Sequence, residues 1–232
     1  MIVSTAARET GIAETATNKA AKGFSLIELI VVISVIVILT AVSIPYIYNY
    51  KRLYKSEDQA LKVMDMMREA GQLALNRRRI IRFEIDLTDN AMLIIDENSP
   101  STTGDDTLIR SIPLERPFEV RMDTRPATVA AVNQPTPPNY NDATFAPDTT
   151  GHKAGGSTIS NHSVWAARFR SDGSVVNSFG NPISSNLYLW PPRTPGNSAA
   201  RSTREVRAIT MFGGSGAVRY WKYNGTTFVP YQ

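Results

Sequence analysis

Twenty-one residues from Phe24 to Ile44, FSLIELIVVISVIVILTAVSI, contain one ionisable side chain, Glu28, and neither glycine nor proline. As an α-helix they extend about 31 Å, roughly the thickness of a bilayer's hydrocarbon core. A single membrane span is the expectation. Glu28 is out of place in it, because an ionised carboxylate within a bilayer costs about 2.5–3.5 kcal/mol even on the gentlest scales. The positive end of the helix dipole offers some relief near the start of the helix, and a cationic partner offers more. Cleavage between Gly23 and Phe24 would place a new α-amino group at similar depth. In a stack of such helices the amine of one subunit pairs with Glu28 of its neighbour, so that assembly satisfies the charge. The alternative is that Glu28 snorkels to the headgroups.

The residues before the span, 1–23, are rich in Ala and Thr and lack apolar periodicity. They read as a leader peptide. A rival is a conventional secretory signal: Ala41-Val42-Ser43 has the small residues of a signal-peptidase site, which would release a free domain beginning at Ile44. Basic residues flank both ends of the span, so charge asymmetry does not orient it.

The motif Lys22-Gly23-Phe24-Ser25-Leu26-Ile27-Glu28-Leu29-Ile30, followed by an apolar run and then Pro45, resembles the signal of type IV pilins and type II secretion pseudopilins. The resemblance implies that a prepilin peptidase cuts between Gly23 and Phe24 and N-methylates Phe24. It also implies that Glu28 is the inter-subunit charge partner and that Pro45 marks a helix kink or local melting, as proline in a helix interior independently suggests. The implied partners are the prepilin peptidase, other pilin subunits, an inner-membrane assembly platform, and membrane lipid before assembly. The implied location is a bacterial inner membrane, crossed once, with the C-terminal domain in the periplasm, and a filament after assembly.

Past Pro45 an amphipathic helix is expected over 45–78, with Tyr50, Leu53, Ala60, Leu61, Met64, Met67, Gly71 and Ala74 forming one stripe. Arg77, Arg78 and Arg79 suit the negative end of its dipole. The period then changes to two. Ile80–Leu87 and Ala91–Asp96 read as a β-hairpin, with further strands at 108–114, 118–122, 164–170, 174–176, 186–190, 205–211, 217–223 and 226–229. Asp172-Gly173 and Asn224-Gly225 are strong turn signals. The expected fold class is α+β, a long N-terminal helix packed on a C-terminal antiparallel β-sheet or sandwich over 79–232. Residues 123–162, with Pro135, Pro137 and Pro138, read as a long flexible loop, and Gly151–Ser157 as a linker within it.

Chemistry is sparse. Without cysteine there are no thiol nucleophiles, disulfides or cysteine-held metals. The two histidines, His152 and His162, lie in the long loop and read as surface residues, and Asp105-Asp106 falls far short of a six-oxygen calcium site. No cofactor, metal site or catalytic constellation is expected, and an enzyme is disfavoured. Charge is uneven: Val164–Gln232 carries eight basic residues against Asp172 and Glu205, a net +6 within a chain of net +4. Arg201, Arg204, Arg207, Arg219 and Lys222, with Trp190, Tyr220 and Trp221 nearby, form a candidate DNA surface, since arginines track phosphates and aromatics stack on bases. Solvated strand faces are the simpler explanation.

The stretch Phe169-Arg170-Ser171-Asp172-Gly173-Ser174-Val175, then Glu205–Thr210 leading through Gly213–Gly216 into Val218-Arg219, is similar to the closing strands of H-type minor pseudopilins and FimT-type minor pilins. Some FimT-type pilins bind DNA through Gly-Arg-x-Arg. The matching Gly216-Ala217-Val218-Arg219 has alanine in place of the first arginine. The resemblance therefore implies a minor subunit supporting protein secretion or pilus assembly, with a DNA-binding minor pilin for uptake as the alternative.

Overall fold

The computed structural model describes residues 23–98, 103–132, 140–148, 151–152 and 157–231. The leader up to Lys22, the prolines Pro135, Pro137 and Pro138, and the linker residues 153–156 lie outside them. The chain divides into two units, one up to Pro45 and one from Tyr46 onward. A single helix, α1 (Leu26–Arg77), has Pro45 inside it and keeps helical residues on both sides.

In the first unit every described residue is solvent-facing, and the apolar segment Leu26–Ile47 is long enough to cross a membrane. Its hydroxyls are compatible with hydrocarbon. Ser34, Thr40 and Ser43 donate to the carbonyls of Ile30, Ile36 and Leu39 at 2.8, 2.7 and 2.8 Å. Such i−4 bonds satisfy these three donors without water.

In the second unit α1 is followed by β1 (Ile80–Asp86), β2 (Ala91–Glu97), β3 (Thr107–Pro113), β4 (Arg121–Asp123), β5 (Tyr140–Asp142), β6 (Ala146–Asp148), β7 (Gly151–His152), β8 (Thr158–Ile159), β9 (His162–Phe169), β10 (Val175–Val176), β11 (Ser184–Trp190), β12 (Arg207–Phe212), β13 (Ala217–Tyr223) and β14 (Phe228–Pro230). The helix ends where Arg78 takes a left-handed φ of 55°, with Arg77 Nη1 3.0 Å from Asp96 Oδ2 on β2. One sheet has the order β10-β9-β1-β2-β3, with β6 also on β9; the other has the order β14-β13-β12-β11-β4, with β5 also on β11. Among the described residues, β5–β11 is the parallel exception to an antiparallel pattern. The fold is α+β, an apolar N-terminal helix followed by an antiparallel β-domain.

Both sheets turn one face to α1. Ile81, Phe83, Ile85, Met92 and Ile94 from the first meet Leu187, Leu189, Ile209, Met211, Val218 and Tyr220 from the second around Ala60, Val63, Met67, Ala70 and Ala74. Each large aliphatic side chain buried this way contributes about 1.5–3 kcal/mol. The small helix residues allow close approach: a Cβ on Gly71 would sit 3.4 Å from the Phe169 ring. Burial on α1 is wider than the expected stripe. Val63, Met66 and Ala70 are covered as well, because the helix touches two sheets, whereas Tyr50 is exposed.

The strand expectations need three corrections. Residues 117–120 form a turn, and the strand there is Arg121–Asp123. The 123–162 stretch is not a featureless loop, since its described residues form β5 to β8 and bury Val129, Val132, Ala143 and Ile159. Gly151-His152 is not linker but a strand paired with β8. Pro and Asn lower strand propensity, so short strands held by cross-strand pairing rather than by their own pattern escape a periodicity test.

Candidate functional site

The motif that carries the membrane-side chemistry lies at the first turn of α1. Leu29 N–H donates to Ser25 C=O at 3.1 Å, closing the first helical bond. Glu28 N–H donates to Ser25 Oγ at 3.2 Å, and Ser25 N–H donates back to Glu28 Oε2 at 3.3 Å. This reciprocal pair is a capping box, with Ser25 as N-cap and Glu28 three residues on. It satisfies two of the four amide donors that a helix N-terminus leaves open. The lipid argument points Glu28 to a neighbour's amine, and the structure adds that its own helix already uses it. The Ser-x-x-Glu spacing was the available signal. Gly23 and Phe24 lie just before the cap and are exposed, Phe24 at 83%.

Of the candidate DNA surface, Arg207 and Lys222 are brought together, on Glu57. Arg207 is buried, its Nη1 donating to Arg204 C=O at 2.8 Å and its Nη2 3.7 Å from Glu57 Oε2 on α1. Lys222 is bound to the other oxygen of Glu57 and lies 3.9 Å from the centre of the Tyr231 ring. Arg219 is exposed on the opposite face of β13, in alternation with Val218 and Tyr220 of the core. Arg201 and Arg204 are exposed before β12. The aromatics expected to stack on bases, Trp190, Tyr220 and Trp221, are buried.

The histidines are not loose surface residues either. His152 is 1% exposed and lies on the outer face of the first sheet, its backbone N–H donating to Glu84 Oε1 at 2.7 Å. Its Nδ1 is 3.3 Å from Glu84 Oε2 and its Nε2 2.9 Å from Asp106 Oδ2. Arg82 Nε meets Glu84 Oε2 at 2.8 Å, and Glu97 is shared by Arg82 at 3.7 Å and Arg168 at 2.7 Å. Burial pushes the Asp106 carboxyl above its ordinary range, and the contact with His152 opposes the shift. Asp106 is thus a partner of His152 rather than part of a calcium loop.

His162 Nδ1 lies 2.7 Å from Asp86 Oδ2 and 3.9 Å from Asp89 Oδ1. One ligand-type atom from each of these three residues falls within 4.8 Å of the others, a donor set able to hold a metal ion. No sequence spacing announces it, because antiparallel pairing of β1 with β9 sets Asp86 opposite Val164 and so brings His162 across from the end of β1.

Residues 18–44 match the family model described as Prokaryotic N-terminal methylation motif. No curated protein and no solved structure matches the chain. The motif, on an exposed apolar helix that fits a single inner-membrane span, supports a type IV pilin-type precursor that is processed by a prepilin peptidase and assembles with other pilin subunits.

Proposed function

We propose that the chain is a minor pilin or pseudopilin, structural rather than catalytic, that displays its β-domain in the periplasm from a filament of packed N-terminal helices. The observation that carries this is the matched motif on an apolar helix whose carboxylate is bound, among the described residues, only by its own N-cap. Exposed hydrocarbon over Leu26–Ile47 has two stable environments, a bilayer and a bundle of like helices. Glu28 distinguishes them. In the bundle a neighbour's methylated Phe24 amine competes with Ser25 N–H for the carboxylate, and it brings a full positive charge where the amide brings only a dipole. Assembly then converts a tolerated charge into a paired one.

A role in DNA uptake has weaker support, because Arg207 and Lys222 are held by Glu57 and the aromatics are buried. Similarity of the closing strands to H-type and FimT-type subunits supports a minor rather than a major role, in a secretion pseudopilus or a pilus.

Intact mass of the membrane-extracted protein tests the processing step. A chain beginning at methylated Phe24 is expected, and one beginning at Ile44 would overturn the reading. For assembly, Glu28→Ala is expected to leave cleavage intact and to remove the subunit from sheared filaments. Incorporation at the wild-type level would refute the pairing.

A further inference from the structure

We propose that Asp86, Asp89 and His162 form a binding site for a first-row divalent cation of the zinc type, at the end of the β-domain where the β1–β2 turn meets the start of β9. Two observations point there independently. The first is the donor set: two carboxylate oxygens and an imidazole nitrogen, all within 4.8 Å of one another. A tetrahedral ion with bonds of about 2.0–2.2 Å holds its ligand atoms about 3.3–3.6 Å apart. The observed 2.7 Å from His162 Nδ1 to Asp86 Oδ2 and 3.9 Å to Asp89 Oδ1 bracket that spacing. Asp89 is partly exposed, so it moves inward without disturbing the core, and solvent supplies the fourth ligand.

The second observation is electrostatic. The carboxylate residues buried as a whole among the described residues are Glu84, Asp86, Asp96 and Glu97, and the side chain of Asp106 is covered too, facing His152. Glu84 faces Arg82, Asp96 faces Arg77, and Glu97 faces Arg168. Asp86, with a fully covered side chain, has no arginine or lysine among the described residues. Its Oδ1 accepts the backbone N–H groups of Thr88 and Asp89 at 2.7 and 3.0 Å, and among the described residues its Oδ2 meets only His162. A buried carboxylate needs a compensating positive charge, and here that charge is left to whatever occupies the corner between Asp86, Asp89 and His162.

The frame is fixed in advance. Leu87 N–H donates to Ser163 C=O at 2.9 Å, and Ser163 N–H donates to Thr88 Oγ1 at 3.0 Å, tying the turn to β9 on either side of the donors. Imidazole in the set favours zinc, nickel or copper over calcium and magnesium, which take oxygen ligands in larger numbers.

The test is calorimetric titration of ZnCl2 into the untagged full-length protein in detergent micelles, with Asp89→Asn and His162→Gln alongside and folding checked by circular dichroism. Removing an outer partner of a metal site costs about 10–100-fold in affinity, and a direct ligand costs no less. One zinc ion per chain is expected, weakened at least about tenfold in each variant and not displaced by excess calcium. Absence of stoichiometric binding would overturn the proposal. So would binding that survives Asp89→Asn, an exposed turn residue whose replacement leaves the fold intact, and so would displacement by calcium.

Discussion

The two sheets share one core around α1 and differ on the faces turned away from it. The second sheet's outer face is aromatic: Tyr188, Trp190, Trp221, Tyr223 and Phe228 pack with Val129, Val132 and Val206. Tyr223 and Phe228 lie 5.0 Å apart and Tyr188 and Phe228 5.9 Å apart, both tilted, in the range preferred by ring pairs. The first sheet's outer face carries Arg82, Glu84, Asp86, Glu97 and Arg168, covered in part by the Gly151-His152 strand. One cover is held by area, which has strength without direction. The other is held by a chain of charges, in which desolvation cancels much of the attraction and what remains is a fixed position for each partner.

That contrast is broken most forcefully at Trp190, which is 1% exposed at the centre of the aromatic face. Trp190→Ala is expected to cost about 3–5 kcal/mol in chemical denaturation. Because no ionisable group drives the loss, it should be the same in mild acid as at neutral pH. A strongly pH-dependent loss would show that the two faces are coupled and would dissolve the comparison.

Glu84→Gln is the corresponding change on the charged face. The amide keeps the shape but removes the charge shared by Arg82, the His152 backbone N–H and its ring. Hydrogen bonds to charged groups are worth about 1.5–3 kcal/mol, so a loss in that range is expected. It should be accompanied by faster amide exchange at His152 and Ile159 and unchanged exchange on β12 and β13. Uniform acceleration throughout would mean that the strand over Glu84 is not separately held.

The difference between the faces also explains what the chain disclosed in advance. The membrane span, the N-terminal motif and the β1–β2 hairpin were legible because each is written in contiguous residues with one period. The aromatic face is half legible, since Leu187, Tyr188, Leu189 and Trp190 plainly belong to a buried strand, whereas nothing in the local pattern says that Trp190, Tyr220 and Trp221 are all buried rather than open to stack on bases. The charged face was not legible at all. Arg82, Glu84 and Asp86 alternate with Ile81, Phe83 and Ile85, the pattern of a strand with one wet face, yet that face is covered. The residues that cover it come from about seventy positions away in a stretch without periodicity. No local rule says that His152 and His162 land on Glu84 and Asp86, because the information lies in the pairing of β1 with β9 and β9 with β6. Capping at Ser25 is a different case, since the Ser-x-x-Glu spacing is contiguous and legible in the sequence itself.

The smallest expected effect lies outside both faces, where charges are paired but not covered. Lys55 on α1 donates to Glu119 at 2.8 Å and to Glu115 at 3.1 Å, with side chains about a third exposed. The Lys55 hydrogen bond holds the Glu119 carboxyl below its ordinary value, against the effect of burial. A carboxyl depressed in the folded state stabilises the fold above its unfolded pKa, and that contribution is lost as pH falls through the folded value. Glu119→Gln should therefore cost about 0.5 kcal/mol at neutral pH and low salt, less in high salt, and nothing once both forms are protonated. Glu84→Gln, by contrast, should keep most of its cost in high salt, because mobile ions do not reach a carboxylate that is fully covered. Equal salt sensitivity of the two variants would mean that the strand over Glu84 opens readily enough to admit solvent, and the charge-held cover would then be no more than a surface ion pair with a lid.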